Sequence, residues 1–330
     1  MSGHYSCHTP KKCYAAEMRF MFTWRQPELL GLSSPTEATR LRSRMPLAAA
    51  LICFLSLPVF AASWTVQAQP PKLVNGAPVL FRVKSPSRLE SLSGSWFGHQ
   101  LNFSYQPSSK TWFALAGVGF DVKPGRYKVE LTGTTAAKTL VTFARMFPVG
   151  PANYPKIKVQ LAVDRKFTEP DPEQVKQIAD SNKIKEEHLN QVTPEREWDG
   201  NFAPPVDAPT SDVYGSQRIF NGVAQRPHYG LDFRVHTGTP VKAMNDGTVL
   251  LARFLYYEGN FVVIDHGQGL LTMYLHLSQL ETKEGEEVKR GQEIGLSGGS
   301  GRATGPHLDV RVRWQGVYLD PARLLQMSLP

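Results

Sequence analysis

The sequence predicts a mostly β protein with an N-terminal β-sandwich-like domain, a short connecting helix and a C-terminal β-sheet domain. The first observation is length, because 330 residues exceed what a single hydrophobic core usually organises. The second is that short alternating apolar segments, separated by turn signals, recur in both halves of the chain. The third is that glycine and proline are abundant while few segments have a helical pattern.

A segment near the start of the chain has the layout of a secretory signal. Arg42 and Arg44 precede an apolar run over residues 47–60, and small residues follow from Ala61. The run is shorter than the ~20 residues that a membrane-spanning helix needs. We therefore predict a signal peptide over residues 45–61 and export to the periplasm or cell envelope, with an uncleaved anchor as the alternative.

Residues 1–44 are unexpected ahead of such a signal, and we interpret them as a spurious or disordered extension, with translation starting at Met45. All three cysteines, Cys7, Cys13 and Cys53, precede the predicted cleavage site. The mature chain would therefore contain no disulfide, no cysteine-ligated metal and no cysteine nucleophile.

The chain is basic, with a formal net charge of +8. Residues 1–61 hold seven Lys or Arg and three Asp or Glu, so their removal lowers this charge to +4. A modest surplus of this kind favours contact with an anionic envelope polymer, or contributes only to solubility, and it does not indicate a nucleic-acid partner.

Residues 70–165 alternate between apolar and polar positions over short stretches. Leu101-Phe103-Tyr105 and Tyr127-Val129-Leu131 are two such stretches, and Ile157 to Val163 contains another. Turn signals such as Lys123-Pro124-Gly125 separate them. This pattern predicts a small β-sandwich-like accessory domain. The region has no catalytic constellation, so we expect a binding or spacing role.

Residues 166–210 are predicted to form a helix followed by a proline-rich linker. Asp171 can cap the helix, Pro172 suits its first position, and Gln174 completes a capping-box pattern. The prolines between residues 194 and 209 favour an extended connection into the next domain.

Residues 211–330 return to a β pattern. The strand candidates are Val241–Ala243, Thr248–Arg253, Phe261–Asp265, Thr272–Leu277 and Leu308–Trp314.

Histidine and aspartate residues recur in this last region at spacings that suit a metal site. His228 and Asp232 are four residues apart, so they face the same side of an extended chain. His276 alternates with apolar neighbours, and His307 shares a strand face with Asp309. A single histidine on a strand is usually a packed residue, but imidazole and carboxylate together are good zinc ligands. Their joint occurrence therefore favours a metal site.

Residues 218–325 resemble the LytM/lysostaphin-type zinc metallopeptidases, which act on peptidoglycan. The pattern of that family is His-x-x-x-Asp, then Tyr-x-His-Leu-Ser, then Gly-x-x-x-Gly-Pro-His-Leu-His. This chain supplies His228-x-x-x-Asp232, the segment 274–278 and the segment 301–308. The resemblance implies that His228 and Asp232 hold one Zn²⁺. It also implies that His276 and His307 are catalytic residues that orient the water and stabilise the oxyanion.

Asp309 departs from the family pattern, because the family has a second histidine as the third ligand. The resemblance therefore implies a metal site formed by His228, Asp232 and Asp309. A carboxylate is an acceptable zinc ligand. However, a second carboxylate leaves the ion less positive, so the ion acidifies its bound water less.

Two functional hypotheses follow. The first is an exported zinc metalloendopeptidase that hydrolyses peptide bonds in peptidoglycan stems or cross-links. An association with the envelope or cell-division machinery would be consistent with this function. The second is a catalytically degenerate LytM-type regulator of cell-wall hydrolases or wall-binding module. Asp309 is the feature that separates them.

Other motifs are weaker. The segment 295–299 matches the Gly-x-Ser-x-Gly elbow of serine hydrolases, but a glycine-rich stretch and Pro306 follow where that elbow needs a helix. We interpret these glycines as an approach that lets the backbone pass close to the metal site. Arg218, Asn221 and Tyr256 are candidate groove residues or ordinary surface and packing residues.

Overall fold

The computed structural model describes residues 63–155 and 158–330, and the protein is mostly β over these residues, as the sequence predicts. The predicted extension over residues 1–44 and the predicted signal peptide over residues 45–61 lie outside the described residues. Among the described helices, none is long and apolar enough to cross a membrane.

The N-terminal region forms two sheets that pack face to face. Its strands are β1 (Thr65–Gln69), β2 (Leu73–Val74), β3 (Pro78–Lys84), β4 (Leu89–Trp96), β5 (His99–Asn102), β6 (Ser104–Gln106), β7 (Thr111–Gly117), β8 (Gly125–Thr135) and β9 (Leu140–Gly150). One sheet has the order β1-β3-β7-β6, and the other has the order β2-β9-β8-β4-β5. Phe81 of the first sheet lies 5.2 Å from Trp96 and 5.4 Å from Phe147 of the second, between ring centroids. The predicted β-sandwich-like arrangement is confirmed for its strands up to Gly150. The stretch toward Val163, predicted as part of the sandwich, instead contributes the strand Lys158–Leu161 to a sheet of the C-terminal region.

A strand, a short turn of 3-10 helix and one long helix follow the sandwich. They are β10 (Lys158–Leu161), the turn Arg165–Phe167 and α1 (Pro172–Leu189). The Asp171 carboxylate accepts a hydrogen bond of 2.8 Å from the Gln174 backbone N–H. In return, Gln174 Oε1 accepts one of 3.0 Å from the Asp171 backbone N–H. The predicted capping box is therefore confirmed.

The C-terminal region is built on one large antiparallel sheet with two small ones beside it. Its elements are β11 (Thr210–Asp212), β12 (Gln217–Phe220), β13 (Val223–Pro227), β14 (Gly230–Phe233), β15 (Pro240–Lys242), β16 (Gly247–Leu255), β17 (Gly259–Asp265), β18 (Leu270–Leu277), β19 (Gln279–Leu280), β20 (Glu287–Val288), β21 (Glu293–Leu296), β22 (Leu308–Trp314), β23 (Val317–Leu319) and α2 (Pro321–Leu325). The large sheet has the order β11-β14-β22-β18-β17-β16-β20, with β23 paired to β22. The small sheets are β10-β12-β13 and β15-β21-β19. Each of the five predicted strands is present.

The central strand β18 shows how this sheet is stabilised. Successive side chains on a strand point to opposite faces, and both faces of β18 are covered. Leu271 and Met273 belong to a cluster that includes Leu189 of α1. Leu270 and Tyr274 belong to the main hydrophobic core, which continues into the sandwich. Burial on both faces explains why the whole strand is apolar apart from a threonine and a histidine.

Candidate metal centre

Three neighbouring strands place three carboxylates in a row. Asp232 on β14 is paired with Asp212 on β11 and with Asp309 on β22. Side chains of directly paired residues lie on the same face of a sheet, with Cβ atoms about 5 Å apart. His228 lies just before β14, and its Nε2 is 3.0 Å from Asp232 Oδ1. The sheet therefore brings together the predicted ligands His228, Asp232 and Asp309, and adds Asp212.

Two of these buried atoms lack a well-aligned hydrogen bond. His228 Nε2 and Asp232 Oδ1 lie 3.0 Å apart, and neither forms a well-aligned hydrogen bond with any described group. Leaving buried polar atoms unsatisfied destabilises a fold. One ligand atom each from Asp212, His228 and Asp232 lies within 4.8 Å of the others. An imidazole nitrogen and carboxylate oxygens at this spacing are donors that suit Zn²⁺. The residues therefore fit a divalent cation.

Asp309 is fully buried and forms an ion pair with Arg311. Arg311 Nη2 and Nε donate hydrogen bonds of 2.7 and 3.2 Å to Asp309 Oδ2. Burial alone would raise the pKa of Asp309, but the Arg311 guanidinium holds the pKa of this carboxyl well below its usual range. The predicted ligand Asp309 thus lies beside Asp232, with its charge already balanced by the protein.

A glycine makes this approach of Asp309 sterically feasible. Gly230 begins β14, and a Cβ atom at this position would collide with Asp309 Oδ1. The glycine in the segment from His228 to Asp232 is therefore a packing requirement of the site, because a side chain there would displace the Asp309 carboxylate.

A second arginine contacts the other two carboxylates. Arg218 Nε donates a hydrogen bond of 2.8 Å to Asp212 Oδ2, and Arg218 Nη2 forms an ion pair with Asp232 Oδ2. Burial tends to raise the pKa of Asp232, but His228 and Arg218 lower it below the ordinary value. Without the His228 ring, the three carboxylates and two guanidinium groups leave one net negative charge. One aspartate and two histidines, the pattern that the resemblance implies, carry the same net charge.

The two predicted catalytic histidines lie together, and each has a defined tautomer. His276 Nδ1 lies 2.8 Å from the Ser300 carbonyl oxygen, and His307 Nδ1 lies 2.8 Å from the Gly305 carbonyl oxygen. A carbonyl oxygen only accepts hydrogen bonds, so each Nδ1 carries a proton, and in the neutral form of either ring the lone pair is on Nε2. The ring centroids are 4.9 Å apart, and His307 Nε2 lies 3.9 Å from Asp232 Oδ2. Burial lowers the pKa of His276 to about 4, so this ring is neutral at pH 7.

The glycine-rich loop fixes His276 by close backbone contacts. Ser300 Oγ donates a hydrogen bond of 2.6 Å to the Leu277 carbonyl oxygen, next to His276. A Cβ atom on Gly259 would collide with Ser300, and one on Gly301 would collide with the backbone of Gly259. Both glycines have positive φ angles, 68° and 69°. The loop passes close to the site, as the sequence predicts, and these glycines are required for that approach.

The weaker candidates have structural contacts. Ser297 is buried, and its Oγ donates a hydrogen bond of 2.7 Å to the His236 carbonyl oxygen, so it is not an exposed nucleophile. The Asn221 amide donates to the Val163 carbonyl oxygen, and the Tyr256 hydroxyl donates to the Lys166 carbonyl oxygen.

Sequence reasoning missed Asp212 and Arg311. Asp212 ends a three-residue strand at the end of the proline-rich linker, where no alternation marks it. Arg311 lies two residues after Asp309 on the same strand, so both side chains were expected on one face. This spacing was the one available signal.

The region that contains these residues is similar to a known protein family. The model of peptidase family M23 matches residues 226–321, which include both histidines and the ligand candidates of β14 and β22. Residues 226–321 are therefore similar to peptidase family M23, and this region is called the M23 domain below. The M23 domain covers less than a third of the chain.

Known relatives share this domain. Peptidoglycan DD-endopeptidase ShyA of Vibrio cholerae is 46% identical over 104 residues, which are 32% of this chain and 24% of that protein. Peptidoglycan DD-endopeptidase ShyB of the same organism is 48% identical over 104 residues, with the same shares of 32% and 24%. The chain thus matches about a quarter of the length of these curated relatives.

A solved structure extends the similarity beyond the M23 domain. The crystal structure of a putative peptidase M23 from Pseudomonas aeruginosa is 29% identical, with a TM-score of 0.60. The match covers 77% of this chain and 95% of that chain. It therefore includes a large part of the chain upstream of the M23 domain.

Proposed function

We propose that this chain is a zinc-dependent endopeptidase that hydrolyses peptide bonds in peptidoglycan stems or cross-links. The observation that carries the proposal is the pair of buried atoms His228 Nε2 and Asp232 Oδ1, which lack a well-aligned hydrogen bond within the described residues, next to two imidazoles whose Nδ1 atoms are held by carbonyl oxygens. The names of the relatives ShyA and ShyB, peptidoglycan DD-endopeptidases, support the substrate class.

The residues divide the chemistry between them. His228 and Asp232 would hold the ion together with a third carboxylate, from Asp212 or Asp309. Zn²⁺ held there would supply Lewis-acid chemistry, by polarising the scissile carbonyl and acidifying a water molecule.

His276 and His307 handle the protons. Because their Nδ1–H groups are bound to carbonyl oxygens, each Nε2 can accept a proton from the attacking water and return it to the leaving amine. The protonated ring then donates a hydrogen bond to the oxyanion. His276 is neutral at pH 7, so its Nε2 is not already protonated when the cycle starts.

The proposal includes export. The signal-like segment over residues 45–61 supports delivery to the periplasm or cell envelope, where peptidoglycan lies. The modest positive charge of the remaining chain is consistent with contact with an anionic wall polymer.

A second candidate function is supported by the two arginines. Arg218 already places a cationic group on Asp212 and Asp232, and Arg311 balances Asp309. A guanidinium in the place of a metal ion is what a catalytically degenerate regulator or wall-binding module would show. Metal content distinguishes the two functions.

The test combines metal analysis with cleavage of purified peptidoglycan by the full chain. We expect about one Zn²⁺ per chain and release of new peptide ends. His228→Ala should lose both, whereas His276→Ala should keep the metal and lose roughly 10²- to 10⁴-fold in rate, the usual contribution of a general base. The exposed His236 provides the matched control, and His236→Ala should behave as the parent chain. A folded sample without metal and without cleavage would favour the regulator.

A further inference from the structure

A second set of charges lies in the cleft that contains the metal-centre residues. The cleft has a volume of about 290 Å³. Asp232 and His307 line it, and so do three arginines, Arg218, Arg234 and Arg302. A peptide that places its scissile bond at His307 would therefore pass the guanidinium groups as well.

The three arginines differ in how their charge is balanced. Arg218 forms ion pairs with Asp212 and Asp232. Over residues 63–155 and 158–330, Arg234 and Arg302 form no ion pair with any carboxylate. Arg234 is exposed to water, whereas Arg302 is half-buried. Burial lowers the pKa of Arg302, and the nearby Tyr257 and Glu258 offset only part of this effect, which indicates that its charge is partly desolvated.

Two aromatic rings hold the Arg302 guanidinium in place. The guanidinium carbon lies 4.5 Å from the ring centroid of Tyr257 and 5.0 Å from that of Phe220. Its Nη1 is 3.4 Å from Gln225 Oε1, which is a long hydrogen bond. Contacts with the ring faces leave most of the N–H groups at the edge of the guanidinium without a partner among the described residues. The group is positioned but its donors are largely unused.

The backbone also ties Arg302 to the predicted catalytic site. The Arg302 N–H donates a hydrogen bond of 2.9 Å to the Tyr257 carbonyl oxygen. Two residues earlier, the Ser300 carbonyl oxygen accepts the hydrogen bond from His276 Nδ1. One short loop thus positions both side chains, so the fold fixes the distance between the His276 ring and the Arg302 guanidinium.

We propose that Arg302 binds a free carboxylate of the substrate peptide in the cleft beside the scissile bond. This inference rests on the proposed peptidase function and adds a specificity-determining residue to it. A planar guanidinium with free donors matches a carboxylate in a bidentate geometry. Arg234, exposed at the same cleft, adds attraction for the anion without a defined contact.

Binding is measured separately from turnover. The probes are soluble peptidoglycan peptides, used as free acids and after conversion of their carboxyl groups to carboxamides. The full chain is titrated with each probe in the presence of phenanthroline, a neutral chelator that prevents cleavage without adding a competing carboxylate. We expect the free acids to bind roughly 10- to 100-fold more tightly than the amides, the usual effect of a charge-assisted hydrogen bond.

Variants assign the preference to one residue. Arg302→Gln should reduce the preference for the free acid to about 2-fold or less, since the charge is lost. Arg302→Lys should keep part of it, because the charge remains and the bidentate geometry does not. Arg226 is exposed on β13 outside the cleft, and Arg226→Gln is the matched control that should retain the full preference.

The outcomes separate this inference from the proposed function. A parent chain that binds acids and amides equally, or an Arg302→Gln chain that keeps the full preference, would overturn the role of Arg302. Cleavage of peptidoglycan with added Zn²⁺ is scored independently. A chain that prefers free acids but releases no peptide ends would overturn the peptidase function and leave the carboxylate site in place.

Discussion

Asp212 and Asp309 lie on opposite sides of Asp232, and their different contacts determine which can serve as a third ligand. Both oxygens of Asp309 receive hydrogen bonds from Arg311, and the pair is buried. Asp212 also receives a hydrogen bond on each oxygen, from the Val213 backbone N–H and from Arg218. It is less buried than Asp309, however, and one of its oxygens lies within 4.8 Å of the ligand atoms of His228 and Asp232. Asp212 is therefore the carboxylate with more freedom to turn toward a cation.

Substitution of each carboxylate by its amide tests this difference. We expect Asp212→Asn to weaken Zn²⁺ binding by more than about 100-fold, above the range for residues that merely support a ligand. Asp309→Asn should weaken it by less than about 10-fold but should lower the free energy of unfolding by roughly 3–5 kcal/mol, because Arg311 is left without its buried partner. Zinc titration against a competing chelator and urea unfolding measure the two effects. The exposed Asp207 provides the control, as Asp207→Asn. Loss of zinc binding in the Asp309 variant alone would assign the third ligand to Asp309.

Among individual residues, the sequence identified candidate site residues where they belong to local motifs. His228 and Asp232 share a segment, and His307 and Asp309 share another, so spacing alone placed each pair on one strand face. Asp212 has no such motif, and it joins the site only because β11 pairs with β14. Contacts between distant residues, such as this pairing, leave no periodic signal in a short strand.

Helix α1 contacts residues 256–258, the segment that is hydrogen-bonded to the backbone of His276. Lys185 Nζ lies 2.6 Å from Glu258 Oε1, and both side chains are largely buried. The Ser181 hydroxyl accepts a hydrogen bond of 3.1 Å from the backbone N–H of Tyr256. The Glu258 carbonyl oxygen in turn accepts the hydrogen bond from the His276 backbone N–H at 2.9 Å. The seating of α1 therefore supports the backbone that carries a predicted catalytic residue.

Removal of the Lys185 charge should destabilise this contact. Lys185→Met leaves the Glu258 carboxylate buried without its cation, which should cost roughly 2–4 kcal/mol of unfolding free energy. Lys183 forms an exposed pair with Glu187 on the same helix, so Lys183→Met should cost less than about 0.5 kcal/mol. Urea unfolding gives both values, and hydrogen exchange at the His276 amide should accelerate in the first variant only. Equal effects of the two substitutions would show that α1 is not seated through this ion pair.

The elements that the sequence predicted well are those with local causes. The start of α1 follows from the side chains of Asp171 and Gln174, which interact within one turn of helix. Strand β10 has an alternating pattern that marks it as a strand, but nothing in that pattern shows that it pairs with β12, far along the chain. Its partner depends on the path of the intervening helix and linker.

At the scale of the whole molecule, the sandwich and the large sheet share one hydrophobic core. Trp198 of the linker region lies 6.0 Å from Phe113 of β7 between ring centroids, and it is buried. Leu319 of β23 packs against Gly117 of β7, where a Cβ atom would collide with the leucine side chain. The sequence pattern predicted two regions joined by a linker. It could not predict this common core, because apolar alternation records which face is buried and not what covers it.

The shared core predicts that residues 63–330 unfold as one cooperative unit. Leu319→Ala removes a fully buried side chain at the junction and should cost about 2–5 kcal/mol. If the two regions are coupled, hydrogen exchange should accelerate in β3 and β7 of the sandwich as well as in β22, and thermal unfolding should shift as a single transition. Leu140 is 67% exposed on β9, so Leu140→Ala serves as a control with little expected effect. Faster exchange confined to β22 and β23 would instead describe two regions that unfold independently, because the destabilisation would not reach the sandwich.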